Sequence, residues 1–241
     1  MNSYQNKSAT RTTLACALAT AIILQGLPAS AVETAEPLPS DSDPMLLFNS
    51  EELTVRSHFQ SGLNAVAESN LFWDLAKSVT GNTEYDANAE WLELYTKAGL
   101  SFERSLKSGS AMFGKLSAAA SYTAGTDPFD ASNTGRITLE EGYLGYRSKF
   151  AGDSNIETTL GPRRLRLGTG MLIANGSADG FERGALKFGP REAWEMAGVL
   201  QISRKDAKAT LFYLDANELS SNDTKTRLGG IDLRWDVDEM N

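Results

Sequence analysis

Trp91 to Phe102 reads WLELYTKAGLSF. Leu92, Leu94, Thr96, Ala98, Leu100 and Phe102 share one parity, and none of them is charged. Trp91, Glu93, Tyr95, Lys97, Gly99 and Ser101 share the other. Side chains alternate between the two faces of a strand, so this stretch carries one apolar and one polar face. A soluble antiparallel sheet can alternate in the same way, with one face on a core and the other in water. Strand length and what precedes the strands turn the reading toward a barrel with lipid outside and water inside.

What precedes them has the form of a secretory signal over residues 1–31. Lys7 and Arg11 supply its positive start, Thr13 to Leu27 (TLACALATAIILQGL) its apolar run, and Ala29-Ser30-Ala31 a small-x-small cleavage site. The run is short beside the roughly 20 residues of a spanning helix. Cleavage would remove Cys16, the only cysteine, so an exported chain would carry no disulfide. It would leave 21 basic against 31 acidic residues, a net charge of −10, which argues against nucleic acid as a partner. No later stretch is long and apolar enough for a transmembrane helix. A membrane form would have to be a closed barrel, because lipid cannot satisfy an open sheet edge.

Residues 32–50 read as an acidic, Pro-rich leader, disordered at least over VETAEPLPSDSDP (Val32 to Pro44), and residues 51–241 as the barrel domain. Strands are expected near 53–63, 91–103, 111–123, 139–150, 155–167, 184–189, 194–204, 207–215 and 227–236. Short connections (105–110, 151–154, 204–206) alternate with long ones (64–90, 124–138, 168–183, 216–226). Short periplasmic turns and long external loops give an outer-membrane barrel that rhythm. A short amphipathic helix is expected within 69–79. Bacterial barrels carry an even number of strands, and about nine are readable here, so the expectation is the N-terminal part of a larger barrel.

With the apolar parity facing lipid, the opposite parity lists the water-facing charges. Arg56, Lys97, Lys115, Arg147, Lys149, Arg164, Arg166, Lys208 and Arg234 are basic; Glu52, Glu93, Glu103, Glu141, Glu157, Glu195 and Asp232 are acidic. The basic residues outnumber the acidic ones in a chain that is acidic as a whole, and a pore lined by Arg and Lys favours anions. The alternative is that these cations are paired with neighbouring carboxylates. Arg56, Lys97, Lys115, Arg147, Arg164, Arg166 and Arg234 are the candidate solute-contacting residues. The densest group is GPRRLRLG (Gly161 to Gly168), where Leu165 and Leu167 face one way and Arg164 and Arg166 the other. A bulge near Pro162 would accommodate the parity shift there. Two inward arginines could grip a carboxylated sugar, or pair with Glu141 or Glu195.

These residues carry a resemblance. LGPRRLRLGTGMLIANGSADGFERGALKF (Leu160 to Phe188) resembles a stretch of the alginate export family of outer-membrane porins. The shared outline is a strand opening Gly-x-Arg, basic and apolar residues, a Gly-rich loop and a return strand, matched by Gly161, Arg163, Arg164, Gly168, Gly170 and Arg183. LTVRSHFQSGL (Leu53 to Leu63) and Gly142 to Tyr146 add to it, and the likeness runs loosely from Leu53 to Trp235. It implies an all-β, antiparallel transmembrane barrel of about 18 strands, of which this chain would supply roughly the first half. It further implies a monomer in outer-membrane lipid, with an Arg/Lys-lined pore passing alginate or small anionic solutes. The chain departs from the family in its shorter length and in Pro162, where a polar or basic residue is common.

Other chemistry has less support. The single histidine, His58, leaves no Ser/His/Asp triad to argue, so no enzyme is expected. Without a cysteine beyond the signal there is no thiolate metal site, and no cofactor is expected. Asp127, Asp130 and Asp179 do not match a calcium-loop spacing. Phe59, Phe102, Tyr122, Tyr146, Trp194, Tyr213 and Trp235 read as interfacial aromatics. The rival fold is a soluble periplasmic β-sandwich that binds carbohydrate; a barrel-borne lipase is a third reading.

Overall fold

A computed structural model describes residues 44–69, 88–106, 109–129, 131–150, 154–205 and 207–235. The expected signal, most of the leader, nearly all of the expected helix within 69–79, and Asp130 lie outside these residues. Nine strands follow one another: β1 (Met45–Asn49), β2 (Leu53–Glu68), β3 (Ala89–Ser105), β4 (Ala111–Gly125), β5 (Gly135–Phe150), β6 (Ser154–Leu160), β7 (Met196–Arg204), β8 (Ala207–Asp215) and β9 (Arg227–Trp235). They form a single antiparallel sheet in sequence order, with β1 and β9 at its two edges. Two 3-10 turns, Phe181–Arg183 and Ser220–Asn222, are the only helical elements among the described residues.

The pairing carries one face across all strands. Glu93 stands opposite Asn64 and Thr123, Lys97 opposite Gln60 and Ala119, and Lys115 opposite Ser101 and Tyr143. This inner face is the one covered by residues 161–195. The outer face shows Leu63, Leu92, Leu94, Leu100, Leu116, Ile137, Leu144, Leu160, Leu211, Ile231 and Leu233 to the surroundings. Ile137 is 77% exposed and Leu116 62%, while Glu93, Glu140, Thr123, Thr210 and Arg191 are almost wholly covered. A folded protein in water arranges these residue types the other way round. Outer-face aromatics gather toward both ends of the strands: Tyr122 and Tyr213 near the long connections, and Tyr146, Phe150 and Trp235 near the short turns.

A register shift between Ser117 and Ala118, facing Glu141 and Leu139, leaves Glu140 as an extra residue in β5. A bulge places two residues against one. Glu140 and Glu141 are therefore consecutive yet both buried, and the outer apolar parity changes from Ile137 and Leu139 to Leu144 and Tyr146.

Several sequence expectations are corrected. Residues 45–49, assigned to the leader, form β1, because Met45 to Phe48 pair with Val55 to Ser57. The strand expected over 155–167 stops at Leu160. Gly161 takes φ +122°, and an added Cβ would lie 2.3 Å from the Gly142 carbonyl oxygen, so the regular strand ends there, while irregular pairing continues past it: Pro162 O accepts from Gly142 N at 2.8 Å and Arg163 O from Trp194 N at 3.1 Å. Residues 184–189 are not a strand; they belong to a segment that lies on the inner face. β7 begins at Met196 rather than at Trp194, and Trp194 is a buried inner-side residue rather than an interfacial aromatic.

Candidate functional site

Residues 161–195 join β6 to β7, and sequence reading placed their middle, 168–183, in an external loop. The structure lays them back over the inner face. Near β7 and β8 the segment is held by apolar packing: Trp194, Ala197, Val199, Phe212 and Leu214 form a buried cluster on which Leu165, Leu167 and Ile173 rest. Near β3 to β5 it is held by polar side chains of the strands, which take its backbone and its arginines.

Three carboxylate or hydroxyl groups of the sheet accept its backbone N–H groups. Glu93 accepts from Lys187 N at 3.0 Å and Phe188 N at 3.1 Å, and also from Trp91 Nε1 at 2.7 Å. Thr123 Oγ1 accepts from Ala185 N at 2.8 Å, and Glu140 Oε1 from Glu192 N at 3.0 Å. The ring of Phe188 rests on Tyr95 with centroids 4.7 Å apart. Gly184 permits the close approach at Thr123. Its φ is +66°, and a Cβ there would stand 2.7 Å from the Thr134 carbonyl oxygen.

Two arginines of the segment complete the attachment. Arg191 is fully buried. It donates to Thr138 Oγ1 (2.7 Å), Ser121 Oγ (2.8 Å), the carbonyls of Arg136 (2.8 Å) and Ala119 (3.4 Å), and Asp179 Oδ1 (2.9 Å). Arg183 donates to Ser177, Asn217 and the carbonyls of Ala178 and Glu218, tying the segment to the β8–β9 connection. Burial lowers the Arg183 pKa and raises that of Asp179, against which Arg191 works. Buried charges are tolerated when they are paired and hydrogen-bonded as these are. Replacing Glu93 by Gln should cost about 1.5–3 kcal/mol, the range for a charge-assisted hydrogen bond, and should speed proteolytic cleavage within 186–190. Comparing cleavage rates of the two proteins under native conditions checks this.

The β8–β9 connection has its own clamp. Glu218 accepts from Thr224 N (2.8 Å) and Oγ1 (2.6 Å) and from Thr226 N (3.4 Å) and Oγ1 (3.1 Å). The Thr224 hydroxyl foremost pulls the Glu218 pKa down to about 2. A depressed carboxylate pKa stabilises above the ordinary value of 4.5 and loses that contribution as pH falls toward 2. Hydrogen-exchange protection of Thr224 and Thr226 should therefore collapse between those values and not between pH 5 and 8.

The sequence candidates fall into distinct surroundings. Lys97 meets Glu140 at 3.4 Å, Lys115 meets Glu141 at 2.6 Å, and Arg147 meets Glu157 at 2.8 Å and Glu103 at 3.6 Å. Arg164 lies in the segment, not in a strand, and meets Glu192 at 2.9 Å and Glu141 at 3.9 Å. Its expected alternative partner, Glu195, is exposed. Arg166 also lies in the segment and is exposed, donating to the Thr169 carbonyl at 2.5 Å. Arg234 meets Asp232 at 2.7 Å, and Arg56 is exposed on the inner face opposite Ser101. His58 bonds Ser101 Oγ at 2.7 Å. Among the described residues no group of three or more His, Cys, Asp or Glu could hold a metal ion. Asp127 accepts the backbone N–H groups of Phe129 and Ala131, as a turn-forming aspartate does.

Sequence reasoning names neither Glu140 nor Arg191, and names Asp179 only as a loop acid. A bulge is invisible to strict alternation, which puts Glu140 on the parity opposite Glu141. Asp179 and Arg191 lay in stretches assigned to a loop and to a strand junction. Chain comparisons add nothing to the geometry: no family model, no curated protein and no solved structure matches this chain.

Proposed function

We propose that this chain forms part of the wall of an outer-membrane channel for anionic solutes, with the inner face on water and the outer face on lipid. One observation carries the reading: large aliphatic side chains are exposed over the whole outer face while carboxylates, hydroxyls and guanidinium groups are buried on the inner face. Such a face in water would be far larger than the apolar patches of soluble proteins. Lipid accepts it at no cost, and a water-filled interior suits the polar one. The aromatics at both ends of the outer face match the girdles of such proteins. The strands of β2 to β5, at 15 to 17 residues, exceed the roughly 9–11 needed to cross, and β7 to β9, at 9, suffice.

On this reading residues 161–195 narrow the channel from inside. Passage is diffusion past fixed charges, with no catalytic step. Most inner cations beneath the segment are matched by carboxylates, so the narrow part is closer to neutral than the residue list suggests. Alginate and other uronate chains remain within the solute class proposed, together with smaller anions. Expression with fractionation and heat-modifiable gel migration tests the reading. An outer-membrane product whose band shifts on heating supports it. A product extracted from the periplasm without detergent refutes it and favours a soluble sheet protein.

A further inference from the structure

Rows of side chains across the inner face can be followed through the pairing. Lys149 stands opposite Asn155, Asn155 opposite Ser203, Ser203 opposite Lys208, and Lys208 opposite Arg234. These five residues form one row from β5 to β9, near the short-turn ends of the strands. Three are cations, two are neutral hydrogen-bonding groups, and none is an acid. Strands lie about 4.8 Å apart, so the row spans about 19 Å. Lys149, Asn155 and Lys208 are exposed, and Ser203 and Arg234 half-buried.

A turn of the inner segment lies beside the row, and it carries a fourth cation, Arg166. A Cβ on Gly168 would stand 3.9 Å from the Arg234 guanidinium, so the turn at Gly168 lies beside Arg234. Arg166 folds back over the same turn through its bond to Thr169. Among the described residues, the acids closest by are paired. Asp232 sits against Arg234 at 2.7 Å, and Glu157, one row further along the strands, sits against Arg147 at 2.8 Å.

We infer that this basic row, with Lys149 and Lys208 exposed, and not the buried ion pairs beneath the segment, recognises the anion, and that it takes an extended anion bearing several negative groups. This inference rests on the barrel reading. Cations spread over several strands on an accessible face can be engaged together only by a ligand with charges spread along it. The ion pairs under the segment would first have to be broken, whereas Lys149 and Lys208 present their charge to solvent. Because the charges are accessible, binding is screened by salt.

The test uses the full chain in detergent micelles, with inorganic triphosphate as probe and calorimetric titration at low salt. The K149Q/K208Q/R234Q variant should bind about tenfold or more weakly, as expected for three lost partly exposed ion contacts. Single phosphate should bind wild type at least about tenfold more weakly than triphosphate. R227Q, on the outer parity of β9 at the opposite end, should leave binding unchanged. Heat-modifiable migration and far-ultraviolet circular dichroism report whether each variant is folded. Wild type that does not bind triphosphate, a folded triple variant that binds as wild type does, or a K97Q/K115Q variant that loses more affinity would each overturn the inference while leaving the barrel intact. A chain that needs no detergent and shows no heat shift would overturn the barrel reading instead.

Discussion

Arginine in place of Leu116 is expected to cost about 2–4 kcal/mol of stability in lipid vesicles, or to prevent insertion. Leu116 lies on the outer face of β4, opposite Leu100 on one side and Gly142 on the other, and is 62% exposed. In water the same substitution at so open a position would change stability by about 0.5 kcal/mol or less. The contrast comes from the surroundings, because the leucine makes few contacts that the arginine would lose. Guanidinium unfolding of wild type and L116R in vesicles, followed by tryptophan fluorescence, measures the difference. Equal stability would mean that this face does not meet hydrocarbon.

Replacing Arg191 by methionine is expected to cost about 3–5 kcal/mol, because it removes one member of a buried ion pair and leaves the other. Asp179 would keep only the backbone N–H of residue 191 as a partner, and Ser121, Thr138 and the carbonyls of Ala119 and Arg136 would each lose a donor. Burial already raises the Asp179 pKa, and loss of Arg191 would raise it further. The ionised form is the one that burial penalises, so the deficit should be small at acid pH and grow as pH rises above the ordinary carboxylate value. Residues 161–195 should come away from β4 and β5 before the strands separate, giving faster cleavage of the segment and a higher single-channel conductance. Changing both residues, as D179N/R191M, should recover part of the loss, since no charge is then left unpaired. A single variant with wild-type conductance and cleavage would show that Arg191 does not hold the segment.

The strand pattern was legible because alternation survives over long stretches. WLELYTKAGLSF, read alone, assigns Glu93 and Lys97 to one face and Leu92, Leu94 and Leu100 to the other, and the pairing agrees. β1 was not legible: five residues with four apolar in succession carry no alternation. The inner segment was harder still. ALKF at 185–188 has strand-like residues, yet its backbone groups go to Thr123 and Glu93, which are distant in sequence. Nothing local distinguishes a strand from a segment whose donors are satisfied by side chains of another strand. Arg164 and Arg166 stand out as a group in the sequence, but alternation alone makes them strand residues. Gly161, whose positive φ ends β6, was the signal that the strand does not reach them.

The two faces of this sheet are expected to meet different media. Nitroxide labels placed singly along β4, from residue 112 to residue 122, in protein reconstituted into lipid vesicles, measure it residue by residue. Even positions, which include Leu116 and Tyr122, should be accessible to oxygen and shielded from a water-soluble nickel complex. Odd positions, which include Lys115 and Ser121, should lack that oxygen accessibility. Even positions that are accessible to the nickel complex, or oxygen accessibility without a period of two, would contradict the account.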